Sequence, residues 1–150
     1  MPDTIRQKII DALDTRMKGI LSASGYETDI GLSVQDWPAG LIEDSKLPVL
    51  IYRDVSCENA IDTLVTFSHK LMVEIDALVN DDTPVETVRK IIADIDKAIG
   101  IDDQWGGIAL LTERVSDQFR VELKERVYAG CKVVVVITFR TKGWDDYTQI

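Results

Sequence analysis

The chain has 150 residues, with 26 acidic against 17 basic side chains and a formal charge of −9 at pH 7. This predicts one domain and weighs against a nucleic-acid grip, since affinity for phosphate backbones comes from Lys and Arg that displace counterions. Hydrophobic residues make up 45%, enough apolar material for a core, so disorder over most of the length is excluded. The longest apolar run, Val133 to Ile137, falls far short of the roughly 20 residues that cross a bilayer. Met1-Pro2-Asp3 opens no secretory signal, so a soluble protein made in a cytoplasm is expected.

Thr4 to Leu21 places Ile5, Ile9, Leu13, Met17 and Ile20 at three- and four-residue intervals, which predicts an amphipathic helix capped by Asp3 or Thr4, with a turn at Gly25. From Thr28 the period changes. Ile30, Leu32 and Val34 alternate with polar residues and predict a first strand, ended by Trp37-Pro38-Ala39-Gly40. Leu47 to Arg53 has the β-branched and aromatic content of a second strand. Val65 to Val79 alternates apolar and polar positions throughout, including His69 in the apolar row, and predicts a third. At about 3.3 Å per residue it would span roughly 50 Å, so part of it should be bulged or project past the core and need a partner.

Thr83-Pro84-Val85-Glu86 reads as a capping box that starts a second helix, with Val88, Ile91, Ile92, Ile95 and Ile99 as its stripe and Gly100 at its stop. An acidic turn, Ile101 to Gly107, precedes a strand from about Ile108 to Phe119. Arg120 to Ala129 fits both a period of two and a helical spacing, with an extended arm preferred. Cys131 to Thr141 is the last strand, and residues 142–150 form a C-terminal tail. The order α-β-β-β-α-β-β predicts a single α+β domain over 1–150: a mostly antiparallel sheet of about five strands with both helices on one face. Lys70, Glu74, Thr138 and Arg140 belong to the other face.

Chemistry is sparse. The only histidine, His69, reads as a satisfied, partly buried imidazole rather than a catalytic base or metal ligand. There is no G-x-S-x-G nucleophile elbow, no G-x-G-x-x-G and no Walker loop. Cys57 and Cys131 form no C-x-x-C pair and read as reduced packing residues. Asp81-Asp82, Asp102-Asp103 and Asp145-Asp146 lack EF-hand spacing and read as solvated turns, so no cofactor and no metal site is expected. Trp144 and Tyr147 follow the last strand with no local element to bury them. A neighbouring subunit is one host for them, and the chain's own sheet edge is another.

The N-terminal helix, the Pro-bearing strand Leu47 to Tyr52, the long alternating strand, the second helix, and the ending Val135 to Thr141 followed by Asp145-Asp146-Tyr147 together resemble the tail-terminator family of long-tailed bacteriophages and prophages, the minor tail protein U type. The resemblance covers nearly the whole chain in order, length and the character of its ends, and rests on no sharp motif. It implies a non-enzymatic virion protein, assembled in the cytoplasm of a bacterial host. Such a protein forms a hexameric ring, caps the tail tube, stops polymerisation of the major tail tube protein and meets the head-tail connector protein. DNA only passes through the ring, for which acidic walls are suited. Trp144, Tyr147, Asp145 and Asp146 are then the first candidates for contact. The last and third strands, the loop from Asp36 to Lys46 with Trp37 at its start, and Asp102, Asp103 and Trp105 on their turn follow. Two other readings stay open: a head-tail connector or tail-completion adaptor, and a small α+β enzyme or ligand-binding domain using His69 with Asp76 or Glu74.

Overall fold

A computed structural model describes residues 2–37, 47–123 and 127–150. Helix α1 spans Ile5–Lys18, and its first turn is closed by Thr4, whose Oγ1 accepts from Gln7 N at 3.0 Å. Its stripe of Ile5, Ile9, Leu13 and Met17 is buried, with Ile20 just beyond. The alternation at Ile30, Leu32 and Val34 does not make the strand it predicts. Ile30–Leu32 is a 3-10 turn, and only Val34–Asp36 is strand, β1. The cause is Gly31, which packs so closely on the end of α1 that a Cβ there would lie 2.7 Å from the Met17 and Lys18 carbonyls. Its amide donates to Ile20 O at 3.0 Å, and Leu32 is left facing solvent.

Strand β2 runs Val49–Thr63, ten residues beyond the expected end, and β3 runs Thr66–Val79. The polar segment Asp54 to Thr63 carries no strand pattern of its own. It is drawn into the sheet by backbone pairing with β3, with irregularities between Asp54 and Ser56 and between Ile61 and Thr63. The bulging expected of the third strand therefore lies in its neighbour, and β3 pairs without interruption with the last long strand.

Helix α2 spans Pro84–Gly100. The predicted capping box is not made, since the Thr83 side chain makes no cap bond. Asp81 ties down the helix start instead, accepting from Thr83 N at 3.2 Å and Thr87 Oγ1 at 2.5 Å. Strands β4, Leu111–Leu123, and β5, Val127–Lys142, follow. Within the ambiguous stretch, 120–123 and 127–129 are strand, as preferred, while 124–126 lie outside the described residues. The tail is not loose: Asp145–Gln149 forms β6, hairpinned onto β5.

The sheet order is β1-β2-β3-β5-β4, with β6 beside the end of β5 and only β1–β2 parallel. It is the expected α+β fold, with a sixth strand. Both helices join one core with the inward row of Leu71, Val73 and Ile75 from β3 and Val133, Val135 and Ile137 from β5. Burial of these apolar faces is the main stabilising term. On the other face Arg53 pairs with Asp76, Lys132 with Glu74 at 3.2 Å, and Arg140 with Asp62 at 2.9 Å. A buried carboxylate ties the layers: Asp94 of α2 accepts from Glu27 N, Thr28 N and Thr28 Oγ1 at 3.1, 2.8 and 2.6 Å. These three donors hold the segment that leads from α1 to β1.

Candidate interaction surfaces

The C-terminal hairpin gathers four of the candidate residues. Lys142 pairs with Asp145 across a turn of Gly143 and Trp144, and Gly143 N donates to Val65 O at 2.7 Å. Trp144 has a positive φ of 60°, which turns its ring outward. It is 93% exposed and touches only the edge of Phe67, at 5.2 Å between centroids. Tyr147 is half exposed. Asp145 organises the turn by accepting from Thr148 Oγ1 at 2.8 Å and Tyr147 N at 3.1 Å. These two bonds hold its carboxyl below the usual carboxylate range. Of the two hosts weighed for the tail, the chain's own sheet edge takes its backbone, while the Trp144 ring stays in water.

The turn after α2 behaves differently. Asp102 accepts from Gly106 N at 2.7 Å and Gln104 N at 3.0 Å, and these amides lower its carboxyl. Trp105 lies inside this turn and is only 2% exposed. Its ring sits under the Arg16 guanidinium at 4.1 Å, and its Nε1 donates to Thr112 Oγ1 at 2.7 Å. Trp105 as a contact residue is therefore corrected: it is core, a plug between α1, α2 and β4. The Asp102 carboxylate is engaged by the turn though partly exposed, and Asp103 stands in solvent. Gln149 Nε2 donates to Gly107 O at 2.6 Å, so β6 is clipped to this same turn.

Trp37 belongs elsewhere, at the end of β1, with φ 51° and its Nε1 donating to Asp54 Oδ1 at 2.9 Å. Arg6 Nε reaches the other oxygen of Asp54 at 2.7 Å. Burial would raise the Asp54 carboxyl, but the Trp37 and Arg6 donors outweigh it and hold it low. Half of the Trp37 surface remains exposed. The 38–46 part of the expected contact loop lies outside the described residues.

His69 borders a cavity of about 500 Å³ between the start of α1, β2, β3 and the C-terminal hairpin, lined also by Arg6, Phe67, Phe139, Trp144 and Asp146. The imidazole is stacked on Phe139 at 4.7 Å. Nδ1 lies 2.5 Å from Asn59 Oδ1 and Nε2 lies 2.7 Å from Thr141 Oγ1. A neutral ring satisfies both, donating from Nδ1 and accepting the threonine proton at Nε2. Burial lowers its pKa, opposed by the charge of Asp146. Neither nitrogen is then left for base work. The suggested partners Glu74 and Asp76 occupy the opposite face of β3, paired with Lys132 and Arg53, so a site made of His69 with either one is ruled out by strand parity. Both cysteines are free thiols, and burial pushes Cys131 up to about 12. Among the described residues, no group of three His, Cys, Asp or Glu side chains is placed to hold a metal ion, and no helix is long and apolar enough to cross a membrane.

Two surfaces were missed by sequence reasoning in whole or in part. One is the corner where the β2–β3 hairpin meets the β5–β6 turn, which exposes Ile61, Leu64 and Val65 beside the expected Trp144. The other is the far end of β4 and the start of β5, where Phe119, Val121, Leu123 and Val127 line the helix-bearing side yet stand in solvent. The only signal for the second was the dual periodicity of residues 119 to 127. No protein-family model matches the chain, and no curated protein matches its sequence.

Proposed function

We propose that this chain is a structural ring subunit of the tail-terminator type, which caps a phage tail tube, stops its growth and presents the surface that meets the head-tail connector protein. It works by shape rather than by chemistry. The observation that carries this reading is the surface itself: a strand hairpin and a sheet arm both run beyond the reach of the two helices and hold large apolar side chains in water at two corners. Contiguous exposed apolar surface of this kind marks association sites in soluble proteins. The exposed Trp144 and Tyr147 add residue types that concentrate binding energy. The charge of −9 suits a wall past which DNA slides without being held.

In this reading the partners are further copies of the chain, the major tail tube protein and the connector, and the working location is the virion tail. The test is capping. Added in stoichiometric amount to the major tube subunit encoded by a neighbouring gene, the chain should arrest elongation and appear as a ring at one tube end in negative stain. A chain lacking residues 144–150 should stay folded but cap poorly. Tubes that grow unhindered, with no density at either end, would sink the proposal. The ligand-binding reading keeps one supporting feature, the cavity beside His69. An ordered small molecule found there, contacting Arg6 or Asp146, would favour it.

A further inference from the structure

The cavity beside His69 has a floor of inward-row residues, Asn59 of β2, Phe67 and His69 of β3 and Phe139 of β5, and walls made by the start of α1 and the C-terminal hairpin. At about 500 Å³ it falls within the size range of small-ligand sites. The polar groups of the floor satisfy one another. His69 bonds Asn59 and Thr141 through its two nitrogens, and Asn59 Oδ1 also accepts from the Cys57 thiol at 3.4 Å. Arg6 is committed as well, since its Nε and one terminal nitrogen both donate to Asp54, whose charge offsets its own. One carboxylate remains. Asp146 is exposed and lines the cavity, and among the described residues no hydrogen bond or ion pair engages it. Asp145 beside it is taken up by its own turn. The charge of Asp146 reaches the interior, where it opposes the fall in the His69 pKa.

Four aromatic side chains stand around that charge. Phe67 meets Trp144 at 69° with centroids 5.2 Å apart and meets His69 at 67° and 6.5 Å, while His69 lies on Phe139 at 4.7 Å. Aromatics at steep angles bound a space on more than one side, and their electron-rich faces attract a cation, the more so as it sheds water. We propose that this cavity receives an organic cation, an alkylammonium or guanidinium head held against Trp144 and Phe67 by the Asp146 carboxylate. An anion would meet a neutralised Arg6 and be repelled by Asp146. A bare metal ion would find one carboxylate where several oxygen ligands are needed. The same head is carried by a free amine and by a Lys or Arg side chain of a partner protein. The exposed Leu64 and Val65 adjoin the cavity at its Trp144 side, as would suit a side chain delivered by a partner. The site uses neither a sheet edge nor a second copy, so it does not depend on the tail-terminator reading.

Nuclear magnetic resonance tests this directly, because His69 is the only histidine and the Trp144 indole signal is identified by its loss in Trp144→Phe. Choline is titrated against its uncharged analogue, in which a quaternary carbon replaces the nitrogen, with acetate as the anion. Choline should move both signals and bind about tenfold more tightly than the analogue. It should also lower the His69 midpoint, since a second positive charge opposes protonation. The other ionisable groups lining the cavity are Arg6 of α1, Cys57 of β2 and Asp146 of the hairpin, with none from β5. Asp146→Asn changes an exposed side chain and should keep the fold by circular dichroism, start from a lower His69 midpoint and lose most of the choline effect. An end-blocked Ala-Lys-Ala peptide forms the second arm. Tighter binding of the peptide than of choline assigns the cation to a partner's side chain, and weaker binding assigns it to a free amine. Equal binding of choline and its analogue, a response to acetate instead, or an undiminished choline effect in Asp146→Asn would overturn the proposal. So would silence towards both cations at millimolar concentration, and the capping assay would stand apart from each of these results.

Discussion

Two tryptophans near in sequence role but opposite in environment give the sharpest test of the packing. Trp105→Ala removes a ring that is 2% exposed. Truncation of a buried aromatic costs about 3–5 kcal/mol through lost transfer and the cavity left behind. The polar neighbours soften this rather than add to it. Thr112 Oγ1 still donates to Asp103 O at 2.7 Å, and Arg16 keeps its bonds to the carbonyls of Asp102 and Ile99 at 2.5 and 3.4 Å. The loss of the guanidinium over the ring takes away about 0.5–2 kcal/mol, within the same total. For a domain of this length that shifts Tm by roughly 10 °C, at about 2–4 °C per kcal/mol. Trp144→Ala removes a larger area of exposed ring and one edge contact with Phe67, and should change stability by less than about 1 kcal/mol. Urea unfolding followed by far-ultraviolet circular dichroism measures both. A Trp105→Ala cost below about 1 kcal/mol, or a Trp144→Ala cost above that of Trp105→Ala, would refute the assignment of one ring to the core and the other to the surface.

Asp94→Ala should cost about 3 kcal/mol, because three donors lose a charged acceptor and the Glu27 and Thr28 amides are left poorly satisfied. Hydrogen exchange at those two amides should rise with it, and unchanged protection would count against the staple. The folded pKa of His69 is depressed by burial, so the unfolded chain binds the extra proton first as pH falls. Stability is full above the unfolded value of about 6.5 and declines below it. Urea midpoints at about pH 7.5 and about pH 5.5 should therefore differ more for the parent than for His69→Gln. Equal differences would mean that the imidazole charges without cost where it sits.

The strongly periodic elements were readable because one physical cause, burial of a single face, shaped each of them. The stripes of α1 and α2 and the alternation in β3 and β5 need no knowledge of neighbours. Where neighbours decide, the reading failed. Asp54 to Thr63 is polar and mixed in pattern, and becomes strand only because β3 offers it a backbone to pair with. Ile30 to Leu32 alternates like a strand, yet the close approach of Gly31 to the end of α1 bends it into a turn. The Thr83 side chain makes no cap bond, and Asp81 instead holds the start of α2 through Thr83 N and the Thr87 hydroxyl.

The candidate surfaces divide in the same way. Composition and pattern were sufficient for the class of fold, for the placement of His69 in an inward row and for the lack of partners near Trp144. They could not tell Trp105 from Trp144, since both lie in polar or glycine-containing turns, and even their backbones are alike, with positive φ of 56° and 60°. The difference is made by α1, which lays Arg16 across one ring, while nothing among the described residues crosses the other. Likewise Phe119, Val121 and Leu123 form an apolar row in the sequence, and the row alone does not say whether anything covers it. It is surface because the helices are shorter than the sheet they cover, and a face is buried only as far as something lies on it.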